Sequence, residues 1–245
     1  NIALELEVRG ASGGHSGMDI HKGLANANKL GNRVVLEALD HVDLRIASIQ
    51  GGGLRNAIPR ESKTTLVCAQ EDLAALESAL TESRDTLNAE YATTDPDLTV
   101  EWTSAALPSH VMGEEDQYAL LLAIQTCPVG IHRMSPDIAG LVQTSNNLAR
   151  VDVKDGQVEI QCLNRSIVDS EKDDHARSIE AAFALAGLQT ERSGAYPGWT
   201  PNPSSEAVAM CRDLYEERYN EAPSLLACHA GLECGMLGTN SPRFG

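Results

Sequence analysis

Ile2, Leu4, Leu6 and Val8 alternate with Ala3, Glu5, Glu7 and Arg9, a period of two that predicts a strand with one buried face. Ile20, Leu24, Ala27, Leu30 and Val34 then recur at helical spacing and predict a helix over 18–40. Strands follow at 42–50 and 62–69, the second with Thr64, Leu66 and Cys68 on one side. The stripe Leu73, Leu76, Leu80, Leu87 and Tyr91 predicts a helix, and Leu98, Val100 and Trp102 predict the strand after it. This βαββαβ order implies a split-βαβ sandwich: an antiparallel sheet with helices on one face, in the α+β class.

The later chain repeats the latter part of that order. A helix is expected over 114–125 and a loop around Met134-Ser135-Pro136. Strands are expected over 140–151 and 157–165, joined by a turn at Lys154-Asp155-Gly156-Gln157. A helix over 171–186 closes the unit. Asn147-Leu148-Ala149 echoes Asn56-Ala57-Ile58, each followed by strand and helix, which reads as a degenerate internal duplication with halves 1–105 and 114–193. Three prolines and two glycines in 194–203 mark a boundary. Beyond it lie a helix with Val208, Cys211, Leu214 and Tyr215, and a short strand at 225–228. The domains expected are therefore 1–193 and 194–245, the latter a helix-strand piece of an α/β domain.

Charge narrows the partners. The 245 residues carry 19 Lys and Arg against 35 Asp and Glu, a net charge of -16. Such a surface excludes nucleic acid and an anionic membrane as partners and suits a soluble protein. Asn1 is not a start methionine and the first strand is already under way, so the chain reads as a piece of a longer protein. The 6 cysteines include no Cys-x-x-Cys pair, and Cys68, Cys162 and Cys211 fall on apolar stripes as small buried hydrophobes. A reducing, cytoplasmic setting follows.

Gly10-Ala11-Ser12-Gly13-Gly14-His15-Ser16-Gly17 carries the first candidate chemistry. A glycine-rich turn between strand and helix presents N–H groups to an anion, and His15 adds a donor. The same glycines also suit a plain tight turn. Asn56 follows three glycines, where its amide can meet a carboxylate or simply make a turn. Arg165 ends an amphipathic strand and can fork onto a carboxylate, with Arg133 a second candidate and a surface ion pair the alternative for both. His229 and Glu233 stand four apart as if on one helix face, but Gly231 and Gly235 break that helix, leaving a loop that offers N–H groups and one carboxylate. No set of residues has the spacing of a metal site. On its residues alone the chain is better built to bind an anion than to do chemistry.

The run Gly13-Gly14-His15-Ser16-Gly17-Met18-Asp19-Ile20-His21-Lys22-Gly23-Leu24 and the run His229-Ala230-Gly231-Leu232-Glu233-Cys234-Gly235 resemble those of bacterial Xaa-His dipeptidases. These enzymes are also called aminoacyl-histidine dipeptidases or carnosinases, and belong to the co-catalytic di-zinc metallopeptidases. Gln143-Thr144-Ser145-Asn146-Asn147-Leu148, Arg165-Ser166 and Gly194-Ala195-Tyr196-Pro197-Gly198-Trp199 fit the same family in the same order, over essentially the whole chain. The resemblance implies a duplicated split-βαβ lid over 1–193 and part of a catalytic domain over 194–245. It implies two zinc ions whose ligands, with the general base, lie outside this chain, so that the chain alone is inactive. It makes His15 the donor to the reaction's oxyanion, and Asn56, Arg165 and Gly231 the holders of a dipeptide's carboxylate. The charge of Glu233 suits the substrate's free amine. A carnosine-like dipeptide is the implied substrate and a homodimer the implied assembly. A split-βαβ module that binds a small molecule or dimerises without turnover is the alternative.

Overall fold

The computed structural model describes residues 1–199, 202, 204–225, 227, 229 and 236. Its first half is β1 (Ile2–Arg9), β2 (Gly14–His15), α1 (Ala27–Leu39), β3 (Leu44–Gly52), β4 (Ala57–Ile58), β5 (Ser62–Cys68), α2 (Leu73–Glu90) and β6 (Thr99–Ala105). Then come α3 (Glu114–Thr126), β7 (Gly130–Met134), β8 (Val142–Lys154), β9 (Gln157–Ser166), α4 (Asp169–Leu185) and α5 (Glu206–Tyr219). Strands β6-β1-β5-β3-β8-β7 form one sheet, with β9 also on β8, and every pairing in it is antiparallel. The expected α+β architecture with an antiparallel sheet is the one observed.

Side-chain alternation explains why helices cover only one face. Leu4, Leu6 and Val8 of β1 are buried beneath the helices together with Leu66 of β5 and Val100 of β6. On the other face Lys63 bridges Glu5 and Glu7, and Arg9 forks onto Glu101. The helices form a single layer, α2 packing on α1, α1 on α3 and α3 on α4. One continuous core runs beneath them, from Leu80 and Leu87 in α2 to Ile179 and Phe183 in α4.

Four expectations from the sequence change. The helix expected over 18–40 begins only at Ala27, after a single 3₁₀ turn at Ile20–Lys22. Gly23 breaks it with a left-handed φ of 67°, and the Asn26 side chain caps α1 by accepting from the Lys29 N–H. The glycine turn therefore does not open onto the N-terminus of α1. The loop expected near Met134 is preceded by a strand, β7, too short and too exposed to show alternation. Cys211, expected to be buried, is exposed on α5, which buries none of its residues among those described. The strand expected at 225–228 lies partly outside the described residues. Among the described residues no helix is long and apolar enough to cross a membrane.

The two halves join where β3 meets β8, with Ile49 opposite Val153 and Gly52 opposite Arg150. β9 lines β8 from Thr144 to Lys154, so β3 and β7 share the other edge of β8 end to end. The hairpin between β8 and β9 turns at Asp155 and Gly156, both with positive φ (51° and 73°), as a two-residue primed turn requires. Gly52 has a φ of 71°, and a Cβ there would lie 1.9 Å from the Ala149 carbonyl oxygen. Gly52→Ala should therefore cost about 1–3 kcal/mol from backbone conformation alone, with the clash adding to it. Urea unfolding checks this, and an unchanged midpoint would mean that the β3–β8 junction yields freely.

Candidate functional site

Both ends of the glycine-rich loop are tied to one carboxylate. Asp95, only 2% exposed, accepts from Ser12 N–H at 2.8 Å and from Ala25 N–H at 2.9 Å. Inside the loop, β2 pairs with β4, placing His15 opposite Ala57. Ser16 N–H donates to the Asn56 carbonyl at 2.8 Å, so the loop that carries His15 and the loop that carries Asn56 are joined. Asp19 takes the His15 N–H at 2.8 Å and is paired with Lys22 at 2.6 Å. Lys22 first and that N–H second hold the Asp19 carboxyl below the usual carboxylate range.

The His15 ring has a fixed polarity. Its Nδ1 accepts from Gly17 N–H and Met18 N–H, both at 3.1 Å. The proton of the neutral ring therefore resides on Nε2, which is left as a donor. Gly17 sits between two functional side chains: a Cβ there would be 3.2 Å from His15 Cε1 and 3.5 Å from Arg165 Nε. A side chain there would crowd the His15 ring, and His15 and Arg165 converge across this glycine.

Arg165 closes β9 and is 6% exposed. Its Nε and Nη2 donate to Ser16 Oγ, both at 3.4 Å, and its Nη1 donates to Tyr196 Oη at 3.0 Å. Among the described residues these neutral hydroxyls are its partners, and no carboxylate pairs with it. A buried guanidinium with donors to spare is a place for an anion. Tyr196 is itself anchored, its carbonyl accepting from Lys172 Nζ at 2.5 Å.

His229, 2% exposed, was legible only as a doubtful metal ligand. The structure instead places its Nε2 2.7 Å from Ser145 Oγ. Burial first, then the charges of Arg165, His15 and His21, push it down to about 4. In a chain of net charge -16, the guanidinium of Arg165 thus lies buried at this site close enough to act on His229. Asn56 is exposed at the rim and makes no side-chain hydrogen bond among the described residues. Arg133, the second arginine considered, is corrected to a surface pair with Glu171 at 3.0 Å. Gly231 and Glu233 lie outside the described residues. Among the described residues no three His, Cys, Asp or Glu side chains gather as a metal site would need.

The strand expected over 140–151 is present as β8, but the burial of its polar side chains behind the site carried no signal in the sequence. Residues 143–147 of β8, Gln-Thr-Ser-Asn-Asn, are all buried. Asn147 Nδ2 donates to the carbonyls of Arg55 (3.2 Å) and Ala57 (2.7 Å), straddling Asn56, while its Oδ1 accepts from Asn26 at 3.3 Å. The two Asn-containing segments that echo each other in sequence thus touch in space.

The histidines give the protein a defined acid sensitivity. His229 is pushed down to about 4, and so is His175, by burial first and then by the stacked His132. The unfolded chain takes up protons near 6.5 that the folded chain refuses until about 4. Stability is therefore full above 6.5 and falls as pH drops through that window. Each histidine accounts for on the order of 1–3 kcal/mol of that fall. Urea unfolding at neutral pH and near the lower end of the window should show a smaller loss for His229→Leu than for wild type. An identical slope would mean that the ring is not desolvated.

Residues 6–95 match the peptidase dimerisation domain. The chain is 37% identical over 241 residues to the cytosol non-specific dipeptidase of Escherichia coli (strain K12), covering 98% of this chain and 50% of that protein. It superposes with a TM-score of 0.93 on the crystal structure of aminoacylhistidine dipeptidase from Vibrio alginolyticus, at 37% identity, covering 99% of this chain and 50% of that one. The chain thus spans about half the length of these relatives and is similar to them along nearly all of its own.

Proposed function

We propose that this chain is the substrate-side part of a cytoplasmic, zinc-dependent dipeptidase that hydrolyses Xaa-His dipeptides of the carnosine kind. Residues 1–193 serve as its lid and 194–245 as part of its catalytic domain. The observation that carries this reading is Arg165, a buried guanidinium whose described partners are hydroxyls, beside a histidine whose Nε2 is held as a donor. The relatives are dipeptidases, and the product and substrate of such an enzyme both end in a carboxylate. The described residues do not form a site for zinc, so this reading leaves the metal to residues outside them. It includes a homodimer, in keeping with the description of the matched domain.

The roles follow from charge and reach. Arg165, with the Asn56 amide and the Gly231 backbone, takes the substrate's C-terminal carboxylate. A planar fork offsets the carboxylate's lost hydration better than a point charge does. As water adds to the scissile carbonyl, negative charge grows on its oxygen, and the His15 Nε2–H donates to that oxygen. Such a donor is worth about 3–4 kcal/mol in the transition state. Glu233 meets the free amine at the other end of the substrate.

In the full-length enzyme, His15→Ala should lower kcat by roughly 10²–10³-fold with metal content unchanged. Near wild-type turnover would remove His15 from the reaction. Arg165→Met should reduce kcat/KM for a free dipeptide by roughly 10–150-fold. A dipeptide amidated at its C-terminus already lacks the contact and should barely respond to the change. Equal losses on both substrates would make Arg165 a residue of the scaffold alone.

A further inference from the structure

Away from His15 and Arg165, two thiols meet beneath the helix layer. Cys127 ends α3, its N–H on the Ala123 carbonyl at 2.9 Å, and it is 1% exposed. Cys162 lies in β9 opposite Leu148 and is half-buried. Their sulfurs are 3.9 Å apart. A disulfide needs the sulfurs about 2 Å closer than that.

Two further features bear on this pair. Lys29 reaches across from α1, donating to the carbonyls of Ile124 (2.8 Å), Gln125 (2.6 Å) and Cys127 (3.1 Å), and its charge acts on both sulfurs. An open cleft of about 520 Å³ between β9, α4 and residues 188–196 reaches Cys162, with Ile160, Ile179 and Phe183 on its walls. Cys127 does not line that cleft. The thiols are therefore unequal: one faces a route for a small oxidant, and the other sits behind it.

We propose that Cys127 and Cys162 form an oxidisable dithiol that a hydroperoxide converts to a disulfide, fastening the end of α3 to the strand that carries Arg165. Cys162 is the attacking sulfur. Its thiol is drawn below its ordinary value chiefly by the hydrogen bond from Cys127, whose own thiol is held up because it keeps the shared proton. The Cys162 thiolate attacks one peroxide oxygen. The S–O bond forms as the O–O bond breaks, and the departing alkoxide takes up the proton that Cys162 had released, leaving as an alcohol. The Cys127 sulfur then attacks the sulfenic sulfur. The S–S bond forms as the S–O bond breaks, and hydroxide leaves with the Cys127 proton as water. Two thiols and one hydroperoxide give one disulfide, one alcohol and one water.

Hydrogen peroxide is the probe, applied to the 245-residue chain. Peptide mapping without reduction should then find the Cys127 and Cys162 peptides linked, lighter by two hydrogens and separated again by dithiothreitol. With dimedone present, Cys127→Ser should trap a sulfenic adduct on Cys162, whereas Cys162→Ser should leave Cys127 unmarked. Should either variant fail to fold, the wild-type linkage and its time course still decide the matter. Oxidation confined to the exposed Cys211, pairing of either cysteine with another thiol, or dimedone marking Cys127 first would each overturn the proposal.

Discussion

Five consecutive buried polar side chains, residues 143–147 of β8, are the constraint on which the rest of this structure depends. A buried amide or hydroxyl without a partner costs stability, so each of the five fixes a neighbour. Gln143 and Thr144 hold Glu171 of α4, Ser145 holds His229, Asn146 holds the Pro128 carbonyl after α3, and Asn147 holds the Asn56 loop. Partners drawn from so many parts of the chain meet along one strand, and a shift in its register would misplace them together. An apolar strand here would pack as well and specify less.

The electrostatics are inverted locally. The net charge is strongly acidic, yet the candidate site holds the buried cation Arg165 with no carboxylate paired to it among the described residues. Burying a cation against hydroxyls alone is unfavourable for the empty protein. The same arrangement lowers the cost of binding for an anionic end group, because the donors are already desolvated and oriented.

Much of this was legible in the sequence, for physical reasons that differ by element. Alternation in β1 and the Asp155-Gly156 turn are local signals, and both appear where local chemistry puts them. His15 and Arg165 could be singled out by type and position, but not their meeting across Gly17, which depends on the β9 register and the β2–β4 pair. Helix α1 was drawn too early because its apolar spacing continues through residues 20–24, while the left-handed Gly23 and the Asn26 cap decide the start. Asp95 was invisible: an acidic residue after a helix gives no sign that its two oxygens hold backbone groups 83 and 70 positions earlier in the chain. Cys211 was misjudged because the stripe on α5 has an apolar face that no described residue covers.

The Asp95 clamp has an evolutionary corollary. A loop pinched at its neck by one side chain is separable from the sheet that supports it. Residues between Ser12 and Ala25 that lie outside the β2–β4 pair and the buried Ile20 can be exchanged while the strands beneath keep their register, since the neck closes on backbone groups. New reach and new donors can thus be tried over a constant scaffold, with the Asp95 neck and the β2–β4 pair as the fixed requirements.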